Sequence, residues 1–139
     1  VTLVVDCSVA LKWVFPEEGR EAALDLIGRP MWAPDFLKLE CANLLAAKVW
    51  QGAVPEGRAI EALEEIAGQA GLQWRSTSAY VFRAQRLAMT LKQTAYDCLY
   101  LAMAIEEGLT LVTAGSRFAA AIETEGSYAA FLQRLGGRS

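Results

Sequence analysis

Residues 94–118, TAYDCLYLAMAIEEGLTLVTAGSRF, leave the chain few ways to fold. Thr94 suits a helix N-cap, Asp97 three positions on can close a capping box, and the helical pattern over 96–107 stops at Gly108. Residues 109–113 then read as a short buried strand, and Ala114, Gly115 and Ser116 turn the chain into another helix that runs to about 125. Asp97 shares a helical stripe with Tyr100, Leu101 and Ala104, the spacing that marks a core-facing side. A carboxylate therefore heads an apolar stripe. Standing alone, such an Asp is more often a cap that the helix dipole welcomes. Two further acids in comparable places change that balance.

The first of them is Asp6. Residues 1–5, VTLVV, are a β-branched run, and Asp6 follows at its carboxyl end, with Ser8 able to cap a helix to about 15. In parallel α/β sheets the carboxyl edge is where ligands bind, although an Asp after a buried strand is also an ordinary turn residue. Pro16 and Glu17 break that helix, 18–27 forms a second, and 29–33 reads as a strand. Pro34 and Asp35 open a helix over 36–51 that is apolar on most sides, as suits an element packed against several neighbours. Glu40 lies in its second turn, on a face with Phe36, Asn43, Leu44 and Ala47. A Glu so placed either serves a site or is held in an intramolecular ion pair.

The remaining elements are a turn at 52–55, an acidic helix over 56–69 with Glu61, Glu64 and Glu65 on a solvated face, and a strand at 72–75. A helix capped by Ser78 runs to about 90 and carries Arg83 and Arg86, with Lys92 beyond it; surface charge suits these three better than a phosphate path. Residues 127–135 fit a strand or a helix equally, and 136–139 a frayed end.

Alternating strands and helices give a three-layer α/β/α sandwich, a mostly parallel sheet between helical layers, in one domain over 1–139. That geometry lets Asp6, Glu40 and Asp97 converge at one sheet edge. Three carboxylates packed in a cleft repel one another, and a divalent ion relieves the repulsion: Mg²⁺ or Mn²⁺ prefers oxygen ligands and can activate a water against a phosphodiester. A net charge of −3 is the wrong sign for a broad basic nucleic-acid surface, but bound metal inverts the local field. Charges interrupt every apolar run, which argues against a membrane span or signal peptide and for a soluble cytoplasmic protein. Cys7, Cys41 and Cys98 each follow one of the acids, yet odd number, wide spacing and no His speak against disulfides and zinc, so core packing is their expected role.

The sequence resembles the PIN-domain ribonucleases, most closely the VapC-type toxins of bacterial toxin–antitoxin pairs, over nearly its whole length. VVDCSVALKW is similar to the family's opening Asp motif, LECANLL to its Glu motif with the accompanying Asn, TAYDCLYLAMA to its second Asp motif, and LVTAGSRF to its closing strand and turn. The resemblance implies Mg²⁺- or Mn²⁺-dependent RNA cleavage by a metal-activated water, a homodimer, and a cognate antitoxin whose tail enters the groove. It implies Asp6, Glu40 and Asp97 as catalytic metal-binding acids, with Ser8, Asn43 and Thr113 orienting carboxylates and water and Ser116 offering a hydroxyl nearby or capping its helix. The departure is Gly115, where the family usually carries a fourth Asp. It keeps open a second reading, in which the fold binds RNA or antitoxin without cutting. A dehalogenase-type phosphatase would need an Asp where Ser8 stands, and a receiver domain would need paired acids after the first strand and a late Lys that this chain lacks.

Overall fold

In the computed structural model, which describes residues 1–137, five strands form one sheet in the order β3-β2-β1-β4-β5, and every pairing is parallel. The strands are β1 (Leu3–Val5), β2 (Met31–Pro34), β3 (Leu72–Arg75), β4 (Thr110–Thr113) and β5 (Leu132–Arg134). Leu3 pairs with Met31 on one side and Thr110 on the other. All three residues of β1 are buried, as expected of a strand covered on both faces. The helices are α1 (Cys7–Val14), α2 (Arg20–Leu24), α3 (Phe36–Trp50), α4 (Glu56–Ala67), α5 (Val81–Leu91), α6 (Ala95–Glu107) and α7 (Ser116–Glu125).

The strand order fixes where a site can form. From β1 the chain steps outward to β2 and β3, then returns to the far side of β1 with β4 and β5. The direction of winding thus reverses between β1 and β4, and a crevice opens beyond their carboxyl ends. Asp6 leaves β1 and Thr113 closes β4 at that point.

The central helix is α6, which lies against β1, β2 and β4 and packs on α5. Residues 98–104 are all buried, so α6 is enclosed all round rather than along one stripe. Thr94 caps it as expected, its hydroxyl oxygen accepting the Asp97 N–H at 3.1 Å, and Gly108 ends it in the left-handed region at φ 67°. Gly71, before β3, is also required: at φ 83° an added Cβ would stand 2.8 Å from the Arg29 carbonyl oxygen.

Several boundaries differ from the sequence reading. The cap of α1 is Asp6, whose carboxylate accepts from the Val9 N–H, and Ser8 sits inside the first turn. The second helix shortens to α2 followed by turns. Ser78 caps nothing; it lies in a 3-10 turn, Thr77–Tyr80, ahead of α5. The start of α3 is held from a distance: Thr77 Oγ1 accepts the Phe36 N–H at 2.9 Å and donates to Asp35 at 2.6 Å. Residues 127–135 resolve into a 3-10 turn and the edge strand β5. Of the expected frayed end, Gly136 and Gly137 form a turn closed on the Arg134 carbonyl, and 138–139 lie outside the described residues.

Candidate active site

Asp6, Glu40 and Asp97 line one cavity of about 330 Å³ at the crevice, together with Ser8, Leu11, Leu44, Thr113, Gly115 and Phe118. Each acid arrives on a different element: Asp6 at the cap of α1, Glu40 in the second turn of α3, Asp97 in the first turn of α6. No Lys or Arg is among these lining residues. By sequence, the three acids are expected to grip one ion together. They share the cavity, but among the described residues no three acidic, His or Cys side chains stand close enough to ligate a single ion directly.

Asp6 is only 7% exposed, and its carboxylate is held on both oxygens. Ser8 Oγ donates to Oδ1 at 2.5 Å, the Val9 N–H to the same oxygen at 3.3 Å, and Thr113 Oγ1 to Oδ2 at 2.5 Å. Those hydroxyls accept in their turn, Ser8 Oγ from the Ala114 N–H at 2.9 Å and Thr113 Oγ1 from the Gly115 N–H at 3.1 Å. The turn after β4 is thereby tied to Asp6 through two hydroxyls with a donor and an acceptor role each. Burial raises the Asp6 pKa above the ordinary carboxylate range; the Ser8, Thr113 and Val9 bonds pull the other way, and the Asp97 charge adds to the rise.

Glu40 is half-buried, and its Oε1 accepts from the Tyr100 hydroxyl at 2.6 Å. Its pKa is also raised, by burial first; the Tyr100 bond works against this, and the charges of Asp97 and Asp6 work with it. Asp97 is half-buried and raised by burial, with the Thr94 hydroxyl opposing. All three carboxyls therefore move in the same direction, chiefly because each is drawn out of water, with the neighbouring acids adding to the rise at Asp6 and Glu40.

Ser8 and Thr113 line the acidic cavity and bond Asp6, whereas Asn43 and Ser116 line its neighbours. Asn43 is exposed beside Glu40 in a neighbouring shallow cavity formed with Phe36, Leu39, Leu44 and Tyr96. Ser116 is the first residue of α7, after a Gly115 cap position, and faces a different cavity of about 360 Å³ that meets the acidic one at Thr113 and Gly115. The cations of that second cavity are already engaged, Lys12 with the Glu18 carbonyl at 2.6 Å and Arg134 with Glu123 at 2.6 and 3.0 Å. Arg83 pairs with Glu106 at 3.1 Å, away from the site. By sequence Tyr100 belongs only to the core stripe, and the partner of its hydroxyl emerges from the structure alone.

The cysteines are buried, as expected. Cys7 and Cys41 touch sulfur to sulfur at 3.0 Å; that contact and burial hold the Cys7 thiol protonated, while burial pushes the Cys98 thiol up to about 12.

A family-wide sequence profile described as PIN domain matches residues 3–123. A search of curated proteins gives no match. Among solved structures the chain is similar to PAE2754 from Pyrobaculum aerophilum, at 18% identity and TM-score 0.73, covering 98% of this chain and 92% of that one. It is similar to VapC20 of Mycobacterium tuberculosis, a sarcin-ricin loop cleaving toxin, at 15% identity and TM-score 0.67 over 86% and 94% of the two chains. It is also similar to VapBC2 from Rickettsia felis, solved with a DNA fragment from its promoter, at 15% identity and TM-score 0.67 over 96% and 98%. At these identities the structural likeness establishes the shared fold.

Proposed function

The chain belongs to the PIN-domain family, and from that premise we propose that it is a metal-dependent endoribonuclease, the toxin of a toxin–antitoxin pair. The observation that carries this reading is the meeting of Asp6, Glu40 and Asp97 around one cavity at the β1/β4 crevice, with no cationic side chain lining it among the described residues. Carboxylates are the donors that Mg²⁺ and Mn²⁺ prefer. Mg²⁺ in particular keeps several waters and takes only one or two carboxylates directly, so three acids spread around a cavity suit an ion held partly through water. When bound, such an ion supplies positive charge against a phosphodiester and makes water a stronger acid.

The chain's own residues divide the remaining work. Ser8, Thr113 and the Val9 N–H orient Asp6 and offset the cost of burying its charge. Asp97 stands in the first turn of α6 and lines the cavity with a half-buried carboxylate, placed to meet an ion or a water. Leu11, Leu44 and Phe118 bound the cavity with apolar surface and strengthen the electrostatics inside it.

Gly115 favours a second reading, a PIN fold that holds RNA or antitoxin without turnover. RNA cleavage in Mn²⁺ separates the two. Wild type should cut and stop with chelator, and Asp6→Asn should lose more than about 100-fold, beyond what orienting partners alone supply. Equal rates in both proteins would remove Asp6 from the chemistry; binding without turnover at any metal concentration would favour the second reading. An antitoxin and a second copy are the expected protein partners. Exposed apolar side chains on α3, α5 and α6, among them Leu39, Trp50, Phe82 and Tyr96, support that expectation.

A further inference from the structure

Tyr100 is fully buried in α6, where a Phe would pack as well. What a Phe would lack is the hydroxyl, and among the described residues that hydroxyl has a single side-chain partner, Glu40 Oε1 at 2.6 Å. The distance is that of an O–H donor on an ionised carboxylate. Buried hydroxyls need partners, and here the partner is one of the three acids of the site. With Oε1 engaged, Glu40 Oε2 is left without a hydrogen bond among the described residues.

The sequence spacing adds a second link. Asp97 and Tyr100 are three residues apart on α6, so one rigid, enclosed helix supplies one acid directly and grips a second acid that belongs to α3. We propose that Tyr100 is a positioning residue: its hydroxyl fixes Oε1 of Glu40, holds that side chain in one orientation, and reserves Oε2 for the cavity. This rests on the nuclease reading, because it gives Glu40 a task that orientation can improve. Tyr100 itself touches neither RNA nor metal in this scheme.

Tyr100→Phe removes the oxygen and keeps the ring. Two readouts are taken, the Mn²⁺ dissociation constant of the RNA-free protein by calorimetry and kcat with KM on RNA. The expected loss is about 10–100-fold in kcat, in Mn²⁺ affinity, or in both, with KM for RNA unchanged, the usual cost of removing a partner that orients a ligand. On a Glu40→Gln background the same substitution should add nothing further, because its whole effect passes through that carboxylate. A purely structural Tyr would lower the melting temperature and leave the folded protein's metal affinity alone.

A companion measurement leaves Tyr100 in place. With tyrosines isotope-labelled at ring Cζ, the Tyr100 resonance should shift on Mg²⁺ addition in wild type and stay still in Glu40→Gln. Wild-type kcat and Mn²⁺ affinity in Tyr100→Phe, a full additional loss on the Glu40→Gln background, or a Tyr100 resonance indifferent to Mg²⁺ would each overturn the assignment. Failure of the underlying reading looks different: wild type itself would neither cut RNA nor bind Mn²⁺, and both proposals would fall together.

Discussion

Asp6 holds its place through hydrogen bonds rather than solvent. Ser8 and Thr113 each spend their single hydroxyl proton on its carboxylate and take a backbone N–H from the 114–115 turn, so the acid, the α1 start and the end of β4 form one unit. Gly115 sits at the rim of that unit with an ordinary backbone, φ −76°. An added Cβ there would meet Thr113 Oγ1 at 3.4 Å and Phe118 Cβ at 3.8 Å, normal contacts, so an acidic side chain fits without backbone strain. Gly115→Asp should fold, and it should tighten Mn²⁺ and raise the cleavage rate, by roughly 10-fold, as one more oxygen donor enters the cavity. Metal titration and initial rates check this; unchanged values would show that three acids suffice. The residues easiest to identify from sequence were those whose positions break a local rule, an Asp after a buried strand and a Glu in an apolar helix. Asn43 lies outside the acidic cavity for a geometric reason. On a helix the third residue onward turns about 60° to one side and the fourth about 40° to the other, and the cavity lies on the Leu44 side of Glu40. Tyr100 stayed hidden because a Tyr in a core stripe looks like any aromatic until its hydroxyl's partner is known.

The acids are the property of three elements held against one another by the fold. Burial of Asp6, Glu40 and Asp97 raises all three pKa values, so without a divalent ion the folded state binds protons more readily than the unfolded chain. The stability these groups allow is therefore greatest when they are protonated and is lost as pH rises from the unfolded carboxylate range through the folded values. Metal-free protein should accordingly melt higher at mildly acidic pH than at neutral pH, until general acid unfolding intervenes, and Asp97→Asn should flatten that slope. A melting temperature that climbs steadily from acid to neutral pH in chelator, with the same slope in Asp97→Asn, would contradict these burial-raised carboxyls. At this scale the sequence was informative where caps and glycines punctuate it, as at Thr94 and Gly108. It was weaker where distant groups finish an element. Asp35 opens α3 as its cap residue, but its carboxylate serves Thr77, and Thr77 caps the helix across 41 positions.

For the whole molecule, strand order decides more than any single motif. Alternation in the sequence implied a parallel sheet between helices, and the sheet is parallel throughout. The order that sets β1 beside β4 was not readable from short strands of similar composition, although it creates the crevice. The distribution of apolar surface was also hidden. Trp13 and Val14 are core, whereas α3, apolar on most sides, buries only Leu37, Cys41 and Leu45 and leaves Trp50 78% exposed. Periodicity cannot separate a helix enclosed by its own chain from one whose apolar sides are left to solvent or a partner. No helix among the described residues is long and apolar enough to cross a membrane. What joins these scales is the claim that three acids, brought together by a winding reversal, form one divalent-cation site. Calorimetric titration of Mn²⁺ at neutral pH into wild type and Asp6→Asn tests it most directly. Saturable binding in wild type that is lost or weakened more than about 100-fold in the variant is the predicted result; equal heats in the two proteins, or none in either, would contradict it.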